Sequence, residues 1–358
     1  MNVAFVGLGV YSREGGIERF NRRLLDCLAS SGHRAHAVVL WDREDEAAAR
    51  PPRVSYAACG GSKLRAVRAF VRVLRRERPD VVLYGHVLLV PLGLVARVLR
   101  RRAVNVLIAH GYEVWDRPSA PKRRLMRAAV DRVAAVSDYT ARAMAAAYGM
   151  APERFVRVIN AVDAAGPAPR RPERAGDKLL TVSRLNPLDK AKNVDKVILA
   201  MPRVVDRAPA THLYVVGDGA WRGELQSLAG SLGVAERVHF LGAVSDERRE
   251  ALYAGSDVFV LPSTQEGFGI VYLEAWRHAL PVIAGAGGAA PEVVRDGIEG
   301  IVVAPAPDAV AAATLRLLGD PGLRRAMGEA GHRRLTTSYS GRHFRDAVLK
   351  MLDRVVAS

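Results

Sequence analysis

Apolar residues along the chain fall into two tandem series of short runs separated by amphipathic stretches. In the first half the runs are Val3–Gly7, Ala35–Leu40, Val81–Tyr84, Ala103–Ala109 and Arg132–Val136. They are near-continuously apolar, the pattern of strands buried on both faces. Stretches such as Glu18–Ser30 and Lys63–Arg78 repeat apolar residues at helical period between them. The second half repeats the alternation with Lys178–Val182, His212–Val216, Val238–Leu241, Val258–Leu261 and Pro281–Ile283. Strand–helix alternation of this kind predicts an α/β fold of two Rossmann-like domains, each a parallel sheet with helices on both faces. The stretch Asp163 to Asp177, with Pro167, Pro169 and Pro172, reads as the linker. Domains are therefore expected at residues 1–165 and 172–338, facing each other across a cleft. A last helix, Gly341 to Val356 within the segment 341–358, is expected to return to the first domain.

Length agrees with this division, because 358 residues exceed what one core ordinarily supports. With 49% hydrophobic and 25% charged residues, the chain is an ordinary globular protein. The N-terminus lacks the basic flank and cleavage site of a signal peptide and reads as a first strand. The longest apolar stretch, Val87 to Val95, is too short to span a bilayer. Two cysteines, Cys27 and Cys59, make no disulfide framework. The expected location is the cytoplasm, with peripheral attachment to the inner membrane face as an option.

Charge is distributed unevenly. Residues 1–170 hold 29 Lys and Arg against 15 Asp and Glu, which leaves 24 against 22 for the remainder. The first half therefore suits an acidic partner. On Lys63–Arg78, Arg65, Arg68, Arg72, Arg75 and Arg76 are expected opposite Leu64, Val67, Val71 and Leu74. With Arg100–Arg102 and Lys122–Arg124 they would dock on an anionic membrane surface and reach a lipid-linked acceptor. Nucleic acid is not expected as a partner, since aromatics are only 6% and no recognition motif is present.

Four constellations carry candidate chemistry. Gly7-Leu8-Gly9 and Gly15-Gly16 lie between the first strand and first helix, where backbone N–H groups receive an anion. Trp41-Asp42 then puts an acid where a dinucleotide ribose would need one, so an NAD(P)-dependent oxidoreductase is the alternative reading. His110, before Gly111-Tyr112-Glu113 at a strand's carboxyl end, is placed to bond a sugar hydroxyl. Arg184, Lys190 and Lys192 converge between a strand end and a helix start, suited to the charge of a departing nucleoside diphosphate. Glu266-Gly267-Phe268-Gly269-Ile270-Val271-Tyr272-Leu273-Glu274 puts two acids eight residues apart across a strand-to-helix turn. If helical throughout, that spacing would rise about 12 Å, one acid on a sugar and the other on a ribose. Gly217, Val244 and the Gly287-Gly288 loop fall at the same expected edge. No His, Cys, Asp or Glu cluster has metal-ligand spacing, so no metal is expected.

In order along the chain, Gly15-Gly16, His110-Gly111, Val158-Ile159-Asn160-Ala161-Val162-Asp163, Ser183-Arg184-Leu185, Val216-Gly217-Asp218-Gly219 and Glu266 to Glu274 resemble glycosyltransferase family 4, of GT-B fold. The resemblance implies a retaining, metal-independent transfer from a nucleotide sugar, UDP- or GDP-linked, to an acceptor hydroxyl on a lipid, glycan or secondary metabolite. It implies that Arg184 and Lys192 hold the diphosphate, with backbone N–H groups at Gly16 and at Phe268, Gly269 and Ile270. It gives Glu266 the donor sugar, Glu274 the ribose and His110 the sugar near the reacting carbon. The family usually has Lys-Gly where this chain has Lys192-Asn193, and asparagine accepts left-handed backbone angles better than most residues. Lys190 competes with Lys192 for the phosphate, and the pattern running on into the helix favours Lys192.

Overall fold

The structure, a computed structural model, describes residues 1–13, 15–164, 166–169 and 177–357, with the backbone alone at residue 47. The chain divides into two units, Met1–Asn160 with Arg342–Ser358, and Ala161–Gly341. Pro172, and the expected domain limits at 165 and 172, lie outside the described residues. The start of the expected linker is held within the second unit. Val162 N–H donates to Tyr339 O at 3.0 Å, and Gly341 N–H donates to the Asp163 carboxylate at 2.7 Å.

The first unit runs β1 (Asn2–Gly7), α1 (Gly16–Ser30), β2 (Arg34–Val39), β3 (Val54–Ala58), α2 (Lys63–Arg76), β4 (Val81–Tyr84), α3 (Pro91–Leu99), β5 (Val104–Ala109), α4 (Ala120–Ala129), β6 (Arg132–Ala135), α5 (Asp138–Tyr148) and β7 (Phe155–Arg157). All pairings are parallel, in the order β3-β2-β1-β4-β5-β6-β7. Such an order needs a crossover at every step. The crossover from β1 to β2 runs one way along the sheet and those from β3 through β6 run the other. Right-handed connections therefore put α1 on one face and α2, α3 and α4 on the opposite face.

Local chemistry sets the helix ends. Ser62 caps α2 by accepting from Arg65 N–H at 3.3 Å. The helix stops at Arg76, short of the expected Arg78, because Arg78 sits at φ 48° just before Pro79. Its buried stripe is also rotated from the one expected. Ala66, Phe70 and Leu74 enter the core, Phe70 meeting Tyr84 edge-on at 6.4 Å. Leu64 and Val67 stay exposed beside the arginines.

The second unit runs β8 (Lys178–Val182), α6 (Val194–Arg207), β9 (His212–Val216), α7 (Arg222–Ser231), β10 (Val238–Gly242), α8 (Asp246–Gly255), β11 (Val258–Leu261), α9 (Ile270–Arg277), β12 (Val282–Gly285), α10 (Ala290–Val293), β13 (Gly300–Val303), α11 (Pro307–Gly319) and α12 (Pro321–Ser338). Its strands are again parallel, ordered β10-β9-β8-β11-β12-β13. The last helix, α13 (Gly341–Val356), carries Phe344 against Phe20 of α1, ring centroids 5.2 Å apart. Both cysteines are buried and unbridged. Among the described residues no helix is long and apolar enough to cross a membrane.

Candidate active site

In a parallel sheet the carboxyl ends of the strands open toward ligand where the strand order reverses. That point in the second unit lies between β8 and β11, and the loops leaving these two strands carry most of the candidate residues. After β8 the chain passes Ser183-Arg184-Leu185, makes a tight turn over Pro187–Lys192 and enters α6 through Asn193. After β11 it passes Pro262 to Gly269 and enters α9.

The two loops are tied together. Thr264 N–H donates to Ala191 O at 2.8 Å, and Asn193 Nδ2 donates to Pro262 O at 2.7 Å. Asn193 has φ 57° and ψ 36°, the left-handed conformation expected for it. Further close approaches need glycine. A side chain on Gly217 would strike Ser183 O, and one on Gly288 would strike the Glu266 backbone. Sequence reasoning placed Gly217 and Gly288 only at the expected edge, and the structure adds that they let neighbouring loops pack backbone to backbone.

This scaffold brings Arg184, Lys192 and Glu266 to one edge. The Arg184 guanidinium is 62% exposed and donates to the Asp189 carboxylate at 2.9 Å, which is only 5% exposed. Lys192 Nζ meets Glu266 Oε2 at 2.7 Å, with Glu266 nearly buried. Lys190 turns elsewhere, to Glu224 at 2.9 Å, with Nζ 5.6 Å from the Trp221 ring centre. The pair at Lys192 keeps a buried carboxylate from standing uncompensated.

Glu266 precedes α9, and Glu274 lies inside it, so the two acids are not eight residues apart on one helix. Helix α9 begins after Gly269, which has φ 92° and no side-chain cap, leaving its first N–H groups without that partner. Phe268 anchors the turn by meeting Tyr339 edge-on at 5.6 Å. Glu274 is buried and accepts from Tyr253 Oη at 3.0 Å. Gly267 and Ile270 flank the same turn. Val244 sits farther along, two residues past β10, and Gly217 N–H bonds Gly242 O at 2.8 Å. Asp189 and Tyr253 were missed by sequence reasoning. Asp189 follows Arg184 by five residues in a turn with no periodic signal, and Tyr253 reaches Glu274 only through packing of α8 on α9.

In the first unit, His110 directly follows β5. Its Nε2 lies 3.1 Å from Gly85 O, its ring meets Phe20 edge-on at 5.1 Å, and burial pushes its pKa down to about 4. A carbonyl only accepts, so Nε2 carries the proton and Nδ1 is the acceptor. Glu113 fixes the backbone there, accepting from His110 N–H at 2.6 Å and Gly111 N–H at 3.0 Å. Gly16 opens α1, with the Glu18 carboxylate against the preceding Gly15.

Asp42 is not a ribose acid. It is fully buried and accepts from Val10 N–H (3.0 Å), Tyr11 N–H (2.9 Å), Ser12 Oγ (2.7 Å) and Tyr56 Oη (2.6 Å). Burial alone would raise its pKa, and these donors hold it below the usual carboxylate value. The acid that the oxidoreductase reading needed is a staple for the β1 loop. Among the described residues no group of three or more His, Cys, Asp or Glu is arranged to hold a metal ion.

Comparison with known proteins agrees with the geometry. The model for glycosyl transferases group 1 matches residues 170–334, and that for glycosyltransferase family 4 matches residues 14–165. The chain is 38% identical over 264 residues to a GDP-mannose-dependent α-(1-6)-phosphatidylinositol monomannoside mannosyltransferase of Mycolicibacterium smegmatis, covering 67% of this chain and 68% of that one. It is 26% identical to the lipopolysaccharide core biosynthesis glycosyltransferase LpsE of Rhizobium meliloti, covering 96% and 97%. Sucrose-phosphate synthase of Thermosynechococcus elongatus has the same fold, with a TM-score of 0.84 at 21% identity over 99% of each chain.

Proposed function

The chain belongs to glycosyltransferase family 4 and is a glycosyltransferase that uses a nucleotide-sugar donor, and from that premise we propose how its residues divide the reaction. The second unit binds the donor. Arg184 and Lys192 hold the diphosphate, assisted by the uncapped N–H groups from Phe268 to Ile270. Lys190 adds long-range charge only, being drawn to Glu224. Glu266 takes the sugar hydroxyls and Glu274 the ribose. Backbone groups near Gly217 and Val244 face the base. The observation that carries this reading is the Arg184–Lys192–Glu266 cluster at the strand-order reversal beside an uncapped helix start.

The acceptor hydroxyl attacks the anomeric carbon from the side the diphosphate leaves. The new C–O bond forms as the sugar–phosphate bond breaks, and a diphosphate oxygen takes the hydroxyl proton, so configuration is retained. Charge growing on the leaving group is met by Arg184 and Lys192 in place of a divalent ion. His110, neutral, accepts a hydrogen bond from a sugar hydroxyl through Nδ1. Relatives with GDP-mannose and phosphatidylinositol mannosides in their names support GDP-mannose as the donor. They also support a lipid-linked acceptor, and the basic charge of the first unit suits peripheral attachment to the membrane that carries it.

The test is thermal stabilisation by GDP, UDP, ADP and dTDP and their sugars, with NAD(H) as control and a chelator present. One nucleoside diphosphate at a hundredfold its Kd adds about 2.7 kcal/mol. That shift should disappear in Glu274→Ala. Arg184→Ala should lower kcat by roughly 10²–10³-fold. Normal turnover in Arg184→Ala, or stabilisation by NAD(H) alone, would sink the assignment.

A further inference from the structure

Helix α3 is apolar on the wrong side as well as the right one. Toward the core it buries Gly93 and Ala96, Gly93 so close to α4 that a Cβ would strike Ala129. Its outward stripe, where a solvated helix carries polar residues, is Pro91, Leu94 and Val98, spaced i, i+3, i+7 and all exposed, Val98 at 76%. Leu88, in the turn just before it, is 68% exposed. A helix apolar all round is ordinarily covered all round.

The flanks say what covers it. Helices α2 and α4 both neighbour α3, and the crossover rule puts all three on one face of the sheet. The three helices contain eleven Lys and Arg and no Asp or Glu. Arg97, the cation of α3 itself, is turned aside to Asp131 and Ala128 O. The result is an aliphatic ridge with a basic helix on each side.

We propose that α3 and Leu88 form an insertion edge that seats the first unit on an anionic lipid bilayer, with α2 and α4 meeting the headgroups. Aliphatic side chains enter the acyl boundary while flanking cations stay at the charged surface. The other candidate occupants fit less well. A second copy would bring the same cations into opposition. A nucleic-acid backbone offers nothing to Leu88, Leu94 and Val98. Nine residues rise only about 14 Å, so the helix lies in the interface and does not cross it. The inference deepens the proposed peripheral attachment and does not depend on the identity of the donor.

The full chain is sedimented with vesicles of phosphatidylcholine alone and of phosphatidylcholine mixed with phosphatidylglycerol. Binding to the mixed vesicles is expected, and Leu94→Ser with Val98→Ser should weaken it about tenfold without any change of charge. Arg68→Gln with Arg72→Gln should weaken it by a similar or larger factor, and added salt should erase that difference but not the aliphatic one. Both variants alter exposed positions and should keep the parent melting temperature and its nucleotide response. The proposal is overturned if the aliphatic variant binds like the parent, or if the parent ignores both vesicles. It is equally overturned if the parent binds duplex DNA in their place, or forms a dimer that the aliphatic variant dissolves. Should no nucleoside diphosphate stabilise the parent, the donor assignment fails while the vesicle result still decides this one.

Discussion

His110 shows how a titratable group can be fixed for one role by its surroundings. Burial holds its pKa at about 4 and the Gly85 carbonyl fixes the proton on Nε2. It is therefore neutral throughout the neutral range, which suits it to accept a hydrogen bond and not to act as an acid. The unfolded chain protonates this histidine near 6.5, so stability is complete above that value and is lost as pH falls from 6.5 toward 4. We expect urea midpoints to show about 2 kcal/mol less stability at pH 5 than at pH 7 from this residue, and His110→Phe to remove that component. The same variant should lower kcat/KM roughly tenfold. A kcat/KM profile with an inflection near 6.5 that His110→Phe abolishes would contradict this role. Asp42 marks the limit of reading residues by spacing. Its distance from the glycines placed an acid near the β1 loop, and an acid is there. Only the fold reveals that Tyr56, from the neighbouring strand, and three backbone N–H groups already occupy it.

At the scale of elements, the candidate site depends on how two loops are clamped, and Asn193 is the clamp. It enters α6 in the left-handed conformation and its amide holds Pro262 O, next to the segment that leads to Glu266. Asn193→Gly keeps the backbone angles and loses the amide bond, so stability should change by only about 1 kcal/mol while the donor KM rises several-fold. Asn193→Val should lose more, because a β-branched residue resists φ near 57°. Equal stability and equal KM across parent, Gly and Val would show that the clamp is unimportant. Central strands such as β1, β4, β5, β8 and β11 were legible because burial on both faces leaves an unbroken apolar run. Edge strand β10 was read as well, but the edge strands β3, β7 and β13 were not. They are short, half-exposed and mixed in pattern, and only pairing to a neighbour identifies them. Arg184, Lys192, Glu266 and Glu274 were legible through order and spacing. Asp189 and Tyr253 were not, because their contacts with Arg184 and Glu274 exist only in three dimensions.

For the molecule as a whole, chain order and unit membership part company at the C-terminus. The first unit holds 32 Lys and Arg against 16 Asp and Glu, and the second 21 against 21, so the entire net charge belongs to the first. Helix α13 is part of that first unit although 181 residues of the second separate it from the rest. It buries Phe344, Val348, Met351, Leu352 and Val355, and Phe344 closes on Phe20. Fully burying an aliphatic or aromatic side chain contributes about 1.5–3 kcal/mol, so these five together approach the 5–15 kcal/mol that stabilises an ordinary domain. Deleting residues 342–358 should therefore leave the first unit unfolded or nearly so, with exposed apolar surface on α1. The second unit loses none of its own residues. Calorimetry of the parent should resolve unfolding of two units, and the shortened chain should keep only the transition that a nucleoside diphosphate raises. Vesicle binding should change with the first unit, since α2, α3 and α4 belong to it. If the shortened chain instead retains both transitions, α13 is dispensable to the first unit. If it loses both together, the two units do not fold independently.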